Sequence, residues 1–128
     1  VVIHEREAHE DGLRIISDFP DVTGVFHCFS GSYEMAKELV KRGWYIGFTG
    51  VLTFKNARKA VETAAAIPLD RIVLETDCPY MAPEPVRGTR NDSRNIVHVA
   101  AYIGTLWDMD TQAVLDQTAA NARACFGV

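Results

Sequence analysis

The stretch Ile72-Val73-Leu74-Glu75-Thr76-Asp77-Cys78-Pro79-Tyr80 decides the fold of this chain. It begins with three apolar residues, becomes acidic over Glu75 and Asp77, and meets Pro79, which is the pattern of a buried strand with a carboxylate at its tip. In parallel sheets the C-terminal tips of the strands form the edge where chemistry is done. The stretch therefore predicts a parallel α/β protein with Asp77 in its functional site.

Three further apolar runs read as strands, and helical periodicity follows each of them. The predicted strands are Val1 to His4, Val22 to Phe29 and Trp44 to Gly50. The predicted helices run from Glu7 to Phe19, from a cap at Ser32 to Gly43, and from Asn56 to Ala66, with two more beyond a long loop from Cys78 to Arg94, one carrying Ile96 to Leu106 and one beginning near Asp110.

This alternation predicts parallel strands joined by right-handed helical crossovers. Eight such units make a (β/α)₈ TIM barrel of about 250 residues, so 128 residues with four strands match half a barrel with an extra C-terminal helix. A small open doubly wound sheet is the competing architecture. Neither a GxGxxG nor a GxxxxGK[ST] turn follows a strand, so the nucleotide-binding versions of that open fold have no support.

The composition of the chain is typical of a globular domain. The chain is 48% hydrophobic, carries a net charge of −4 and has no apolar run of membrane-spanning length, which predicts one globular domain with a cytoplasmic location. It begins at Val1, inside a predicted strand and without Met. We therefore expect residues 1–128 to be a single partial domain whose N-terminal half is absent.

The three cysteines are odd in number and far apart, which predicts neither a disulfide framework nor a thiolate zinc site. Cys28 and Cys78 directly follow His27 and Asp77, and neighbouring side chains on a strand face opposite ways. Their thiols are therefore expected to point away from the site and to be buried in the core.

His4, His27 and Asp77 stand at the ends of three predicted strands and would open onto one face of a parallel sheet. Two imidazoles and a carboxylate are suitable ligands for a divalent ion. On spacing alone, metal binding and structural roles remain equally open. Glu75 would face the same side as Asp77 but deeper, where a buried acid satisfied by a neighbouring donor is the favoured interpretation.

The net charge argues against a broad basic face for nucleic acid. Arg87 and Arg90 lie on the loop beyond Asp77 and are the best candidates for binding phosphates. For the other polar clusters and glycines, a structural role is favoured or left open. Lys55, Arg58 and Lys59 are expected on an exposed helix face, Glu5 to Glu7 either orient a ligand or form a solvated cluster, and Gly31, Gly47 and Gly50 admit either a substrate or a turn.

The chain closely resembles the second half of TatD-type metal-dependent deoxyribonucleases, from end to end. The motifs that carry the resemblance are Val2-Ile3-His4-Glu5-Arg6-Glu7-Ala8, Phe26-His27-Cys28-Phe29-Ser30-Gly31-Ser32, Tyr45-Ile46-Gly47-Phe48-Thr49-Gly50, Leu74-Glu75-Thr76-Asp77-Cys78-Pro79-Tyr80 and Arg87-Gly88-Thr89-Arg90-Asn91. The resemblance implies a (β/α)₈ barrel in which His4, His27 and Asp77 are metal ligands at the tips of the fifth, sixth and eighth strands.

By the same resemblance, the complete protein would hold two divalent metal ions, with Mg²⁺ expected and Zn²⁺ or Mn²⁺ as alternatives, and would cleave DNA phosphodiester bonds as an exonuclease. Asp77 would also be catalytic, as the acceptor of a proton from water. The family's His-x-His on the first strand and acidic ligand on the fourth are absent from these residues. The missing N-terminal half, or self-association, is therefore expected to complete the barrel.

Two alternative functions remain at this point. A relative in the same superfamily could hydrolyse a small amide, ester or lactone with the same metal ligands. A half-barrel could also serve as a non-catalytic interaction module, because its open sheet edges favour pairing with another chain.

Overall fold

The computed structural model describes residues 1–128 and contains all four predicted strands and all five predicted helices. The strands are β1 (Val2–His4), β2 (Val25–His27), β3 (Tyr45–Phe48) and β4 (Ile72–Leu74), and the helices are α1 (His9–Ser17), α2 (Tyr33–Lys41), α3 (Arg58–Ala66), α4 (Ile96–Trp107) and α5 (Thr111–Phe126). None of these helices has the length and apolar character needed to cross a membrane.

Several elements are shorter than predicted, and backbone conformation explains two of the differences. Strand β2 ends at His27 because Cys28 adopts a left-handed φ of 49°, and α1 begins after Glu7, whose φ is 57°. A non-glycine residue in this conformation interrupts both strands and helices. Helix α2 is bounded as predicted, with the Ser32 hydroxyl accepting from the Met35 amide at 3.2 Å and Gly43 at φ 89° beyond its end.

The sheet is parallel throughout, and its strands lie in the order β1-β2-β3-β4. An open doubly wound sheet reverses its strand order at a switch point, whereas a barrel adds each new strand on the same side. The sequential order therefore excludes the competing architecture. The predicted α/β class, with four barrel-type β/α units and a C-terminal helix, is confirmed.

The register of the sheet separates its side chains into two faces. Ile3, Phe26, Ile46 and Ile72 are partners across all four strands. The last three are buried in one core cluster with side chains from the helices, among them Ile16, Ala36, Leu39, Ala64, Val99, Ile103 and Val114. Burying a side chain of this size contributes about 2 kcal/mol, so this row fixes the register.

The opposite face of the sheet carries His4 and His27 at its carboxyl end. Because side chains alternate along a strand, His4 and His27, which are partners across β1 and β2, point away from the helices. Gly47 and Val73, partners across β3 and β4, lie on the same face. The pairing that buries the core therefore also aligns the two histidines at the carboxyl end of the sheet.

Candidate metal centre

His4, His27 and Asp77 come together at the carboxyl ends of β1, β2 and β4, as the sequence predicts. The ring centroids of His4 and His27 are 5.4 Å apart. The Nε2 atom of His27 lies 3.7 Å from Oδ1 of Asp77, and the two side chains are 22% and 33% exposed. His27 is thus the central member of the group, and the site is open to solvent.

Glu75 fixes the orientation of His27. Its Oε2 atom is hydrogen-bonded to Nδ1 of His27, and its Oε1 atom accepts from the Cys28 amide at 2.6 Å. Because an ionised carboxylate only accepts, Nδ1 carries the proton and Nε2 is left to face Asp77. Carboxylates orient metal-binding histidines in this way. The favoured interpretation of Glu75 as an acid satisfied by neighbouring donors agrees with these contacts, but Glu75 is half-buried rather than buried and it also orients His27.

Gly47 makes room for the Glu75 carboxylate. A Cβ atom at position 47 would collide with Oε1 of Glu75 and would lie 3.2 Å from the Phe26 carbonyl oxygen. At Gly50, a Cβ atom would collide with the Met81 carbonyl oxygen and come within 2.8 Å of the Pro83 nitrogen. These two glycines therefore accommodate other parts of this chain, which differs from both the substrate-approach and the simple turn interpretations.

The segments that follow the strands contain an unusual number of left-handed residues. Glu7 follows β1, Cys28 follows β2, and Asp77 and Met81 follow β4, with φ between 49° and 57°. Each such non-glycine residue costs about 1 to 2 kcal/mol and persists only where surrounding contacts impose it. Strain of this kind collects at functional sites, which supports a role for this end of the sheet.

The prediction for the cysteines is wrong in its placement of the thiols. All three are free, but Cys78 is exposed, and Cys28 is half-buried with its Sγ 3.8 Å from the Met81 Sδ. The left-handed backbone at Cys28 and Asp77 breaks the strand alternation on which the prediction depended. Burial, with the nearby Glu75 and Asp77 carboxylates, raises the pKa of the Cys28 thiol. The raised pKa favours the protonated form of the free thiol at neutral pH.

The donor set fits a divalent ion in part. Two ligand atoms that each lie about 2 Å from one ion are about 3 to 4 Å apart, and the His27 Nε2 to Asp77 Oδ1 distance of 3.7 Å agrees with this. Nevertheless, no group of three or more histidine, cysteine and acidic side chains is arranged to hold a metal ion. His4 lies beside His27 without completing a three-ligand cage.

The loop arginines are available for a ligand but do not touch the histidines or Asp77. Arg87 is exposed and stacks its guanidinium 3.8 Å from the centroid of the Phe54 ring. Arg90 is also exposed. Arg94, in contrast, is paired with Asp92 at 2.7 Å and lowers the pKa of that carboxyl to about 2. Lys55, Arg58 and Lys59 are exposed as predicted, and Arg58 pairs with Glu62 at 2.8 Å.

Sequence reasoning misinterpreted one buried polar residue near the site, Glu5, and missed another, Asn91. Glu5 does not orient His4 and is not solvated, because its carboxylate accepts from the Ala8 amide and pairs with Nδ1 of His9, each at 2.5 Å, where α1 begins. Asn91, 2% exposed, bonds to the loop that holds Asp77. Its place in the Arg87 to Asn91 motif is a signal, but no periodicity distinguishes a buried asparagine in a loop.

Comparison with known proteins identifies the class to which this fold and site belong. Residues 1–127 match the model of the family described as TatD related DNase, and the chain belongs to that family. It is 40% identical over 130 aligned residues to the uncharacterized metal-dependent hydrolase YabD of Bacillus subtilis, covering the whole chain and 51% of that protein. It is also 47% identical over 90 residues to the human 3'-5' RNA nuclease TATDN2, covering 67% of the chain and 12% of that protein.

The solved structures agree. The TatD homolog YJJV of Escherichia coli superposes with a TM-score of 0.87 at 29% identity, covering 100% of this chain and 50% of that one. A TatD family hydrolase from Entamoeba histolytica gives a TM-score of 0.83 at 21% identity, which supports the fold alone. The chain spans about half the length of the curated relatives it matches. Its four strands therefore correspond to half of a TIM barrel.

Proposed function

We propose that this chain supplies part of the active site of a divalent-metal-dependent hydrolase that cleaves DNA phosphodiester bonds, working from chain ends. The observation that carries the proposal is the orientation of His27, whose Nδ1 is held by Glu75 while Nε2 faces Asp77. The chain belongs to the family described as TatD related DNase, and this membership supports phosphodiesters as the substrate class. The net charge of −4 suits a site acting on chain ends better than a broad nucleic-acid groove.

In this proposal His4, His27 and Asp77 hold the metal from this chain. A bound divalent ion would supply Lewis acidity and lower the pKa of water, and Mg²⁺ is the expected ion, with Zn²⁺ or Mn²⁺ able to use the same donors. Asp77 accepts the proton of the attacking water. Glu75 keeps the His27 ring in one orientation while this happens.

Arg87 and Arg90 bind the phosphates that flank the cleaved bond through forked hydrogen bonds. The position of the Arg87 guanidinium over the Phe54 ring limits its motion and leaves its N–H groups free. The remaining metal ligands come from residues outside this chain, supplied by an N-terminal half or by a second copy. This division of the site explains why the three side chains here do not form a complete cage.

The test is metal-dependent trimming of single-stranded DNA by the full-length gene product. A terminally labelled oligodeoxynucleotide should be shortened with Mg²⁺ and not with EDTA. Asp77→Asn and His27→Ala should each reduce the rate on the order of 10²-fold or more, the range expected for a group that handles the reacting proton or the metal. Glu62→Gln, in an exposed pair with Arg58 on α3, is the matched control and should retain the wild-type rate.

The same assay separates the other functions. Preferential cleavage of an RNA oligonucleotide of the same sequence would reassign the substrate, an outcome that the name of the human relative makes worth measuring. Hydrolysis of small esters or lactones without any effect on oligonucleotides would favour the superfamily alternative. Wild-type rates in both Asp77→Asn and His27→Ala would contradict the metal assignment, and inactivity toward every substrate would favour an interaction module.

A further inference from the structure

Asn91 holds the loop that carries Asp77. Its Nδ2 group donates to the carbonyl oxygens of Thr76 at 2.9 Å and Tyr80 at 2.7 Å, and its backbone amide donates to the Pro79 carbonyl at 3.0 Å. Its Oδ1 atom accepts from the Asn95 side chain at 2.9 Å. The side-chain amide of Asn91 is therefore fully hydrogen-bonded. Both of its N–H groups donate to backbone carbonyls that flank Asp77.

The segment that Asn91 holds is strained at Asp77. Asp77 has a left-handed φ of 51°, and its carbonyl accepts from the Tyr80 amide at 3.1 Å, which closes a tight turn over residues 77 to 80. Such a conformation persists in a non-glycine residue only where neighbouring contacts impose it. Asn91 bonds to the residue before Asp77 and to the two residues at the end of the turn, so it fixes the turn from both sides.

The direction of the Asp77 carboxylate depends on this turn. With the backbone held, Oδ1 of Asp77 lies 3.7 Å from Nε2 of His27. If residues 76 to 80 relaxed toward an ordinary φ, the Cα–Cβ bond of Asp77 would change direction, and the carboxylate would leave His27. Thr76, Asp77 and Tyr80 are partly or largely exposed, so little side-chain packing is available to replace the hydrogen bonds.

We propose that Asn91 is a positioning residue, whose hydrogen bonds to the carbonyls on either side of Asp77 set the geometry with which that carboxylate binds metal. This inference rests on the proposed role of Asp77 as a ligand. It assigns Asn91 no contact with metal or substrate. Asn91 therefore acts on the site through the backbone around Asp77, and not only on the stability of the fold.

The chain contains a suitable control, a buried asparagine with similar hydrogen bonds that lies away from Asp77. Asn121, on α5, is 4% exposed and donates from Nδ2 to the carbonyls of Leu69 and Ile72, at 2.8 and 2.7 Å. Its side chain makes the same number and type of donor contacts as that of Asn91, but at the N-terminal end of β4. Replacing either residue by alanine removes equivalent hydrogen bonds, whereas only Asn91 borders Asp77.

The test compares Asn91→Ala and Asn121→Ala in the full-length gene product, with Mn²⁺ alone as the probe. Isothermal titration should show Mn²⁺ affinity reduced about 10-fold to 100-fold in Asn91→Ala, the range observed when an orienting partner of a metal ligand is lost. Asn121→Ala should lower Tm yet leave Mn²⁺ affinity within about twofold of wild type. Hydrogen exchange should speed up at the amide of Tyr80 in Asn91→Ala and not in Asn121→Ala.

Asn95→Ala is a milder variant that remains informative if Asn91→Ala fails to fold, because it removes only the donor to Oδ1 of Asn91. It should give a smaller loss of Mn²⁺ affinity in the same direction. Equal effects of Asn91→Ala and Asn121→Ala on Mn²⁺ binding, or unchanged binding in both Asn91→Ala and Asn95→Ala, would overturn the inference. If Asp77→Asn also binds Mn²⁺ as wild type does, the proposed metal role of Asp77 fails instead, so the two failures are distinguishable.

Discussion

At the scale of single residues, Glu75 connects the fold to the chemistry. It belongs to the end of β4, yet its two oxygens bond to groups at the end of β2, the His27 ring and the Cys28 amide. The strand between them, β3, allows this only because Gly47 has no side chain in the path. One carboxylate thus determines which imidazole nitrogen of His27 faces Asp77.

Replacing Glu75 by glutamine tests this orientation without a change in side-chain size. The amide keeps an oxygen for the Cys28 N–H but turns an NH₂ donor toward Nδ1 of His27, so Nδ1 becomes the acceptor and the ring proton moves to Nε2. We expect Mn²⁺ affinity of the full-length protein to fall about 10-fold to 100-fold by isothermal titration. Glu38→Gln, in an exposed pair with Arg42, should bind Mn²⁺ normally. Wild-type affinity in Glu75→Gln would show that His27 is oriented by other contacts.

The residues that sequence reasoning placed correctly are those whose positions follow from strand ends. His4, His27 and Asp77 converge because parallel strands deliver their last side chains to one edge. The thiol of Cys28 was misplaced, because a left-handed residue ends the alternation that the prediction assumed. Asn91 was missed because its partners Thr76 and Tyr80 are distant in sequence and are contacted through backbone atoms, which leave no side-chain pattern.

At the scale of secondary-structure elements, periodicity and capping residues predict the helices and strands well because they act over a few residues. The strand order follows from the handedness of the crossovers. The attachment of α5 to the sheet does not follow from such local patterns. Asn121 on that helix bonds to the carbonyls of Leu69 and Ile72 around the start of β4. This contact joins residues about fifty positions apart and has no local signature.

Removal of the Asn121 side chain should loosen α5 from the sheet. Asn121→Ala leaves two carbonyls without their donor in a buried position, and we expect the free energy of unfolding to fall by about 2 kcal/mol or more. Urea unfolding of the protein measures this change. Gln112→Ala, on the exposed side of the same helix, should alter it by less than about 0.5 kcal/mol. Equal stability of the two variants would mean that packing alone holds α5.

At the scale of the whole molecule, both outer strands of the sheet have an unpaired edge. The order β1-β2-β3-β4 leaves one edge on β1 and one on β4. Around β1 the exposed apolar side chains include Val2 at 57% and Phe19 at 58%. Open edges beside apolar surface favour association with another chain, whether the other half of a barrel or a second copy.

The 128-residue chain expressed alone should therefore self-associate in a concentration-dependent manner. Sedimentation velocity should show species larger than a monomer, and Phe19→Lys should shift the distribution toward the monomer because a charge opposes burial of that surface. Val97→Lys changes an exposed apolar residue on α4 instead and should have little effect. A well-folded monomer at all concentrations would contradict the expectation that the open edges need a partner.

The register between β1 and β2 also determines what a one-residue pairing error would do to the chain. Ile3 pairs with Phe26 on the helix side, and His4 pairs with His27 on the other. A shift of one strand by one residue would send an imidazole into the apolar layer and an apolar side chain into water. Such a chain would lose its core together with its site, so cellular quality control could recognise and remove it.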